Sequence, residues 1–111
     1  MPARDVDLIL FEVGGRKWAA DPWDVVRVDR DAQAGEMSAR ALVVRGGEGE
    51  VRVPIDRLLG FQRVAAESLR PLPPFAQTLA SPAVVGAWLL PEEIVLLLDL
   101  QALVKESVSL C

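Results

Sequence analysis

Residues Val84–Val104, VVGAWLLPEEIVLLLDLQALV, decide the architecture. Two apolar runs, Val84 to Leu90 and Ile94 to Leu98, flank Pro91-Glu92-Glu93. Proline has no ladder donor, so this tripeptide cannot continue a central strand, and the stretch reads as a tight β-hairpin. Asp99 follows the second strand as a helix N-cap, and Leu100, Leu103 and Val104 fall on one face of a short helix. The unit is a hairpin plus a capped helical turn, apolar enough to be core, and its side chains read as structural.

Upstream, Ser68 to Phe75 carries Pro71, Pro73 and Pro74 and reads as a stiff, extended connection into this hairpin. At the other end of the chain, Asp7 to Val13 leads through Gly14-Gly15 into Arg16 to Ala20. Two strands joined by a Gly-Gly turn make a first hairpin, because glycine tolerates positive φ at both central positions. Trp23 to Val28 opens on a helical turn or runs directly as a third strand, with Val26 and Val28 alternating with Arg27. Asp29 to Ser38 is a polar loop. Arg40 to Arg45 is a fourth strand, Gly46 to Gly49 a turn, and Glu50 to Ile55 a fifth strand with Val51, Val53 and Ile55 on one side. Pro54 marks an edge or a bend, after which Asp56 to Phe61 continues the strand past a kink, with Gly60 allowing a bulge. Strands outnumber helices, so the fold class is mostly β, a small barrel or sandwich.

A chain of 111 residues with 51% apolar and 25% charged residues is one globular domain, residues 1–111. Its formal net charge is −4 and its basic residues are scattered, so a nucleic-acid surface is not expected. Cys111 is the one cysteine, which excludes an intrachain disulfide and a cysteine-based metal site. The N-terminal segment is charged before any apolar run, and no apolar run is long enough to span a bilayer. The expectation is a cytoplasmic protein without direct membrane insertion.

There is no histidine and no tyrosine, which removes the usual general base and the commonest metal ligand. A Ser-His-Asp or Cys-His constellation is impossible. Asp56 and Asp99 are the carboxylates that could face each other as an acid and base pair. The structural alternative makes Asp99 a helix cap and Asp56 a partner of Arg52 or Arg57. No catalytic residue, metal or cofactor is therefore expected. Of the tryptophans, Trp18 and Trp88 suit the core, and Trp23, next to a polar loop, suits a partly exposed anchor.

The order of motifs resembles a CheW-like domain. Leu8 to Val28 looks like that family's opening strand, tight turn, second strand and Val-containing segment. Val53 to Phe61 resembles its Val-Asp-x-Val stretch, Leu69 to Phe75 its proline-rich connection, and Val84 to Val104 its closing hairpin and helix. The resemblance implies a chemosensory adaptor with two small β-barrel subdomains sharing a groove, and a short C-terminal helix. It implies binding to the cytoplasmic signalling tip of a methyl-accepting chemoreceptor and, through another surface, to the regulatory domain of a histidine kinase. Such proteins are not enzymes.

The departure from the family lies after Val28, where a block of strands is replaced by the short loop Asp29 to Ser38. One subdomain is therefore expected to be incomplete, with coupling to the kinase or to another CheW-like partner weakened or absent. By resemblance, the receptor groove is assigned to Trp23, Val25, Val26 and Val28, with Ile55, Leu58 and Leu59 across from them. An exposed strand edge would also permit a homodimer. The competing readings are a self-associating structural β protein and a small enzyme using Asp56 and Asp99.

Overall fold

The run Leu8-Ile9-Leu10-Phe11 does not alternate with polar residues because its strand is covered on both faces, as buried central strands are. The computed structural model describes residues 4–30, 40–47, 49–72 and 83–109, with 106–109 described by their backbone alone. The strands are β1 (Asp5–Val13), β2 (Arg16–Ala20), β3 (Val25–Arg30), β4 (Arg40–Gly46), β5 (Gly49–Ile55), β6 (Arg57–Ala65), β7 (Leu69–Pro71), β8 (Val84–Leu89) and β9 (Ile94–Leu98). Helix α1 spans Leu100–Ser109, and single 3₁₀ turns occupy Pro22–Asp24 and Ala66–Ser68.

Two sheets result. Among the described residues the larger has six strands in the order β6-β1-β2-β9-β8-β7, and the smaller has three in the order β3-β4-β5. The 3₁₀ turn Ala66–Ser68 joins β6 directly to β7, the two outer strands of the larger sheet. The sheet therefore curls around one core cluster, Leu8, Ala19, Val64, Trp88 and Val95. Its other face packs on the smaller sheet and α1 through Ile9, Phe11, Ala20, Leu42, Val44, Ile55, Leu100 and Val104. Burying a side chain such as Phe11 or Leu42 contributes about 1.5–3 kcal/mol. The mostly β class with a C-terminal helix is as the sequence indicates. The expected barrels are instead open sheets: among the described residues no hydrogen bonds close either one.

The N-terminal and C-terminal hairpins meet edge to edge. β2 runs parallel to β9, pairing Trp18 with Leu96, Ala19 with Leu97 and Ala20 with Leu98. At the start of this ladder Lys17 reaches Glu93 at 3.1 Å. The β1–β2 turn has the expected left-handed glycines, Gly14 at φ 61° and Gly15 at φ 76°.

Two sequence expectations are corrected. The segment after Asp56 does not continue β5 in its own sheet: the chain changes sheets there, and β6 pairs with β1. The change is fixed by Asp56, whose N–H donates to the Glu12 carbonyl while its Oδ2 accepts from the Gly14 N–H at 2.7 Å. Asp56 thus serves the first hairpin, while Arg52 pairs with Asp29 and Arg57 with Glu12. The second correction concerns β3. Its register shifts between Val25 and Arg27, leaving Val26 as the extra residue of a bulge, so Val26 and Val28 do not share a regular alternation. The bulge expected at Gly60 is present: Leu10 pairs with Gly60 and Phe11 with Leu58, leaving Leu59 as the extra residue.

The loop expected over Asp29 to Ser38 is strand as far as Arg30, and its remainder lies outside the described residues. So does the proline-rich connection beyond Leu72. Both edges of the smaller sheet carry features that discourage strand addition: the bulge and charges of β3, and Pro54 on β5. Arg27 joins Asp29 at 3.1 Å and Glu50 at 2.9 Å, and Arg52 joins Asp29 at 3.0 Å. These pairs are solvent-screened and add little to stability.

Candidate partner-binding surface

The turn Asp21-Pro22-Trp23-Asp24 is built to hold a side chain out. Asp21 Oδ1 accepts the Trp23 N–H at 2.9 Å, its carbonyl accepts the Asp24 N–H at 3.1 Å, and Pro22 presets the first helical φ. Trp23 is 81% exposed on this fixed support. An indole in water forgoes a large burial term, so one held rigid at the surface suits an interface anchor.

The residues assigned to the groove fall into two groups. Trp23, Val26 and Leu58 reach the surface, the latter two at 38% and 36% exposure. Val25 and Val28 are half-buried against the core cluster that contains Ile55, itself 3% exposed, and Leu59 is half-buried on the β6 bulge. Sequence reasoning missed Phe61, the next β6 residue after Gly60, which is 68% exposed. Its signal was the bulge: a residue inserted at Leu59 shifts which β6 side chains stand opposite Phe11 and Ile9.

Sequence reasoning also missed a cleft at the common end of β2 and β9. Because these strands are parallel and Ala20 pairs with Leu98, the residues that follow, Asp21 and Asp99, stand together. Asp99 Oδ1 accepts the N–H groups of Gln101 at 3.0 Å and Ala102 at 3.2 Å, which makes it the expected cap of α1. The cleft has a volume of about 320 Å³, with Leu8, Ala19, Ala20, Val85, Leu97 and Leu98 as apolar walls and Asp21, Asp24 and Asp99 as its carboxylates. Burial, followed by the charges of Asp21 and Asp99, pushes the Asp24 carboxyl up from its ordinary value, and a hydrogen bond from Gln101 opposes the shift. Gln101 Nε2 reaches Asp24 Oδ1 only at 3.5 Å and the Arg45 carbonyl at 2.8 Å, so its main bond ties α1 to β4.

A second cleft, of about 250 Å³ and almost wholly apolar, lies between the sheets, lined among others by Phe11, Trp18, Val53, Val84, Leu98 and Leu103. Trp18 Nε1 is buried without an acceptor among the described residues. Those residues include no cluster of His, Cys, Asp or Glu that could hold a metal ion, and no helix long and apolar enough to cross a membrane. Asp56 and Asp99, the conceivable acid and base pair, are engaged in different tasks, one at the β1–β2 turn and one at the head of α1.

Two sheets that share a core with one C-terminal helix, and present one acidic and one apolar cleft, define a β-rich domain of two packed sheets. Residues 18–108 match the family described as CheW: CheW-like domain, and the chain belongs to that family. It is 33% identical over 104 residues to the frizzy aggregation protein FrzB of Myxococcus xanthus, a match that takes in 86% of this chain and 91% of that protein. Its fold is like that of the scaffolding protein TtCheW from Thermoanaerobacter tengcongensis, with a TM-score of 0.70 at 14% identity, over 91% of this chain and 86% of that one.

Proposed function

We propose that this protein is a non-enzymatic adaptor of a chemosensory system that binds the helical cytoplasmic tip of a chemoreceptor, with weakened coupling to the histidine kinase. The observation that carries the reading is Trp23, an exposed indole on a turn capped by Asp21 at the junction between the two sheets. Membership of the CheW-like family and the likeness to a scaffolding protein support the adaptor class.

Within the groove set, Trp23, Val26 and Leu58 supply the contact surface, and Val25, Val28, Leu59 and Ile55 shape it from beneath. Apolar area covered by a receptor helix contributes about 25 cal/mol per Å² removed from water. The proposal of weakened kinase coupling draws on the sequence after Val28, where the short segment Asp29 to Ser38 stands in place of the family's block of strands.

The test is calorimetry with a receptor signalling domain and, separately, with a kinase regulatory domain. Trp23→Ala and Leu58→Ser should each weaken receptor binding while leaving the far-UV spectrum and melting midpoint unchanged. Receptor binding indifferent to both substitutions defeats the surface assignment. Micromolar or tighter binding to the kinase domain defeats the proposed loss of coupling. Val25→Glu is not a clean probe, because Val25 packs on the core and a charge there would unfold the chain.

A further inference from the structure

We propose that the cleft where β2 and β9 end receives a lysine or arginine side chain carried by the helical partner that docks on Trp23. The inference rests on the receptor reading above and names the chemistry of the contact.

The cleft has the two-part character of such a side chain. Its walls, Leu8, Ala19, Ala20, Leu97 and Leu98 with Val85, suit an aliphatic stem, and its carboxylates suit a cationic head. Among the described residues no lysine or arginine forms an ion pair with Asp21, Asp24 or Asp99. Lys17, Arg27, Arg52, Arg57 and Arg63 pair instead with Glu93, Asp29, Glu50, Glu12 and Asp7, away from the cleft. The negative charge is therefore left for a partner to match, and the groups are not arranged as a metal site.

Position supplies the link to the anchor. Trp23 stands between Asp21 and Asp24 on one 3₁₀ turn, so a helix that covers the indole passes within one turn of the cleft. Complementary charge at the edge of an apolar contact fixes register and partner choice more than it adds affinity. The cleft would accordingly decide which face of the receptor helix is read.

The experiment is calorimetry with a receptor signalling domain at low and high salt, using the full chain. Asp21→Asn with Asp24→Asn removes two of the cleft's three carboxylate charges, leaving Asp99 to cap α1, and keeps the capping oxygen of residue 21 and the acceptor for Gln101. The double variant should bind about tenfold more weakly at low salt and lose most of the salt dependence that the wild type shows. Val85→Lys, on the exposed rim of the cleft, should weaken binding similarly by placing the chain's own ammonium there. Wild-type affinity in both variants, with neither melting midpoint lowered, overturns the cleft assignment and leaves the receptor reading standing. A wild-type protein that does not bind the receptor domain overturns both. Replacing the tip's basic residues by Gln should reproduce the loss on wild-type protein and cost much less on the double variant; an equal cost on both overturns the cleft assignment.

Discussion

Asp21 and Asp99 each stand one residue beyond the parallel pair Ala20–Leu98, and each caps the turn that follows it. The two strands deliver equivalent caps side by side, one to the 3₁₀ turn that carries Trp23 and one to α1. The caps differ in weight. Asp99 satisfies two N–H groups of a helix whose Leu100 and Val104 belong to the core, whereas Asp21 satisfies one N–H of a turn with no buried residue. Asp99→Ala should cost about 1–2 kcal/mol in urea unfolding and Asp99→Asn much less. Asp21→Ala should cost less than Asp99→Ala but release Trp23, read as lower steady-state fluorescence anisotropy. Equal costs for the two alanine variants would remove the distinction.

Asp24 stands where burial and its two neighbours oppose ionisation, and its pKa is raised above the ordinary 3.8. A carboxyl with a folded pKa above its unfolded one binds its proton more readily in the native chain. Its contribution to stability is therefore present in acid and lost as pH rises through the folded value. Asp24→Asn keeps an acceptor for Gln101 and carries no charge, so it should be the more stable protein near neutral pH. The advantage should shrink as the pH is lowered toward the Asp24 pKa. Urea midpoints for both proteins, followed down to about pH 4, test this; a pH-independent difference would exclude the electrostatic cause. Since the same substitution is expected to weaken partner binding, stability and binding should move in opposite directions.

Gly86 is set by close approach rather than by a turn. A Cβ built on it would lie 2.5 Å from the Arg70 carbonyl oxygen and 3.3 Å from Leu97 Cδ1. The backbone oxygen belongs to β7, a strand of three residues held to the sheet through β8. Gly86→Ala should therefore push β7 off its neighbour, at a cost of about 1–3 kcal/mol. Hydrogen exchange should quicken at the Leu69 and Arg70 amides before it does in β1 or β9. Uniform loss of protection, or none, would place the strain elsewhere.

What the sequence disclosed, and what it did not, follows from how far apart the cooperating residues are. The closing hairpin, Asp99 as cap, the Gly14-Gly15 turn and the bulge at Gly60 are all local, and the structure has each of them. The unbroken apolar runs Leu8–Phe11 and Ile94–Leu98 belong to strands with neighbours on both sides in the larger sheet, which a reader of periodicity can anticipate. The parallel pairing of β2 with β9 joins residues nearly 80 apart, such as Trp18 and Leu96, and nothing local announces it. The acidic cleft exists only because of that pairing, so Asp21, Asp24 and Val85 could not be grouped in advance. The regular alternation of Val26 with Val28 fails for a different reason. An alternating Val-Arg-Val pattern fixes faces only if the ladder is regular, and the shift between Val25 and Arg27 breaks it.

The split of the groove residues into surface and core members gives the sharpest contrast. Ile55 is 3% exposed and packs with Leu42 and Val44 beneath the surface on which the partner would sit. Trp23 is 81% exposed. Ile55→Ala should cost about 2–5 kcal/mol of stability through lost burial and the cavity left behind. Trp23→Ala should change stability by less than about 0.5 kcal/mol, as surface substitutions do. Receptor affinity should invert that order. Trp23→Ala should lose at least about tenfold, in line with an anchor whose truncation costs more than about 1 kcal/mol. Ile55→Ala, assayed well below its own melting midpoint, should retain most of its binding because the side chain never reaches the partner. If Ile55→Ala loses binding while still folded and Trp23→Ala does not, the partner enters between the sheets rather than resting on the capped turn. The apolar cleft beside Phe11, Trp18 and Leu103 would then take the place of Trp23 as the anchor site.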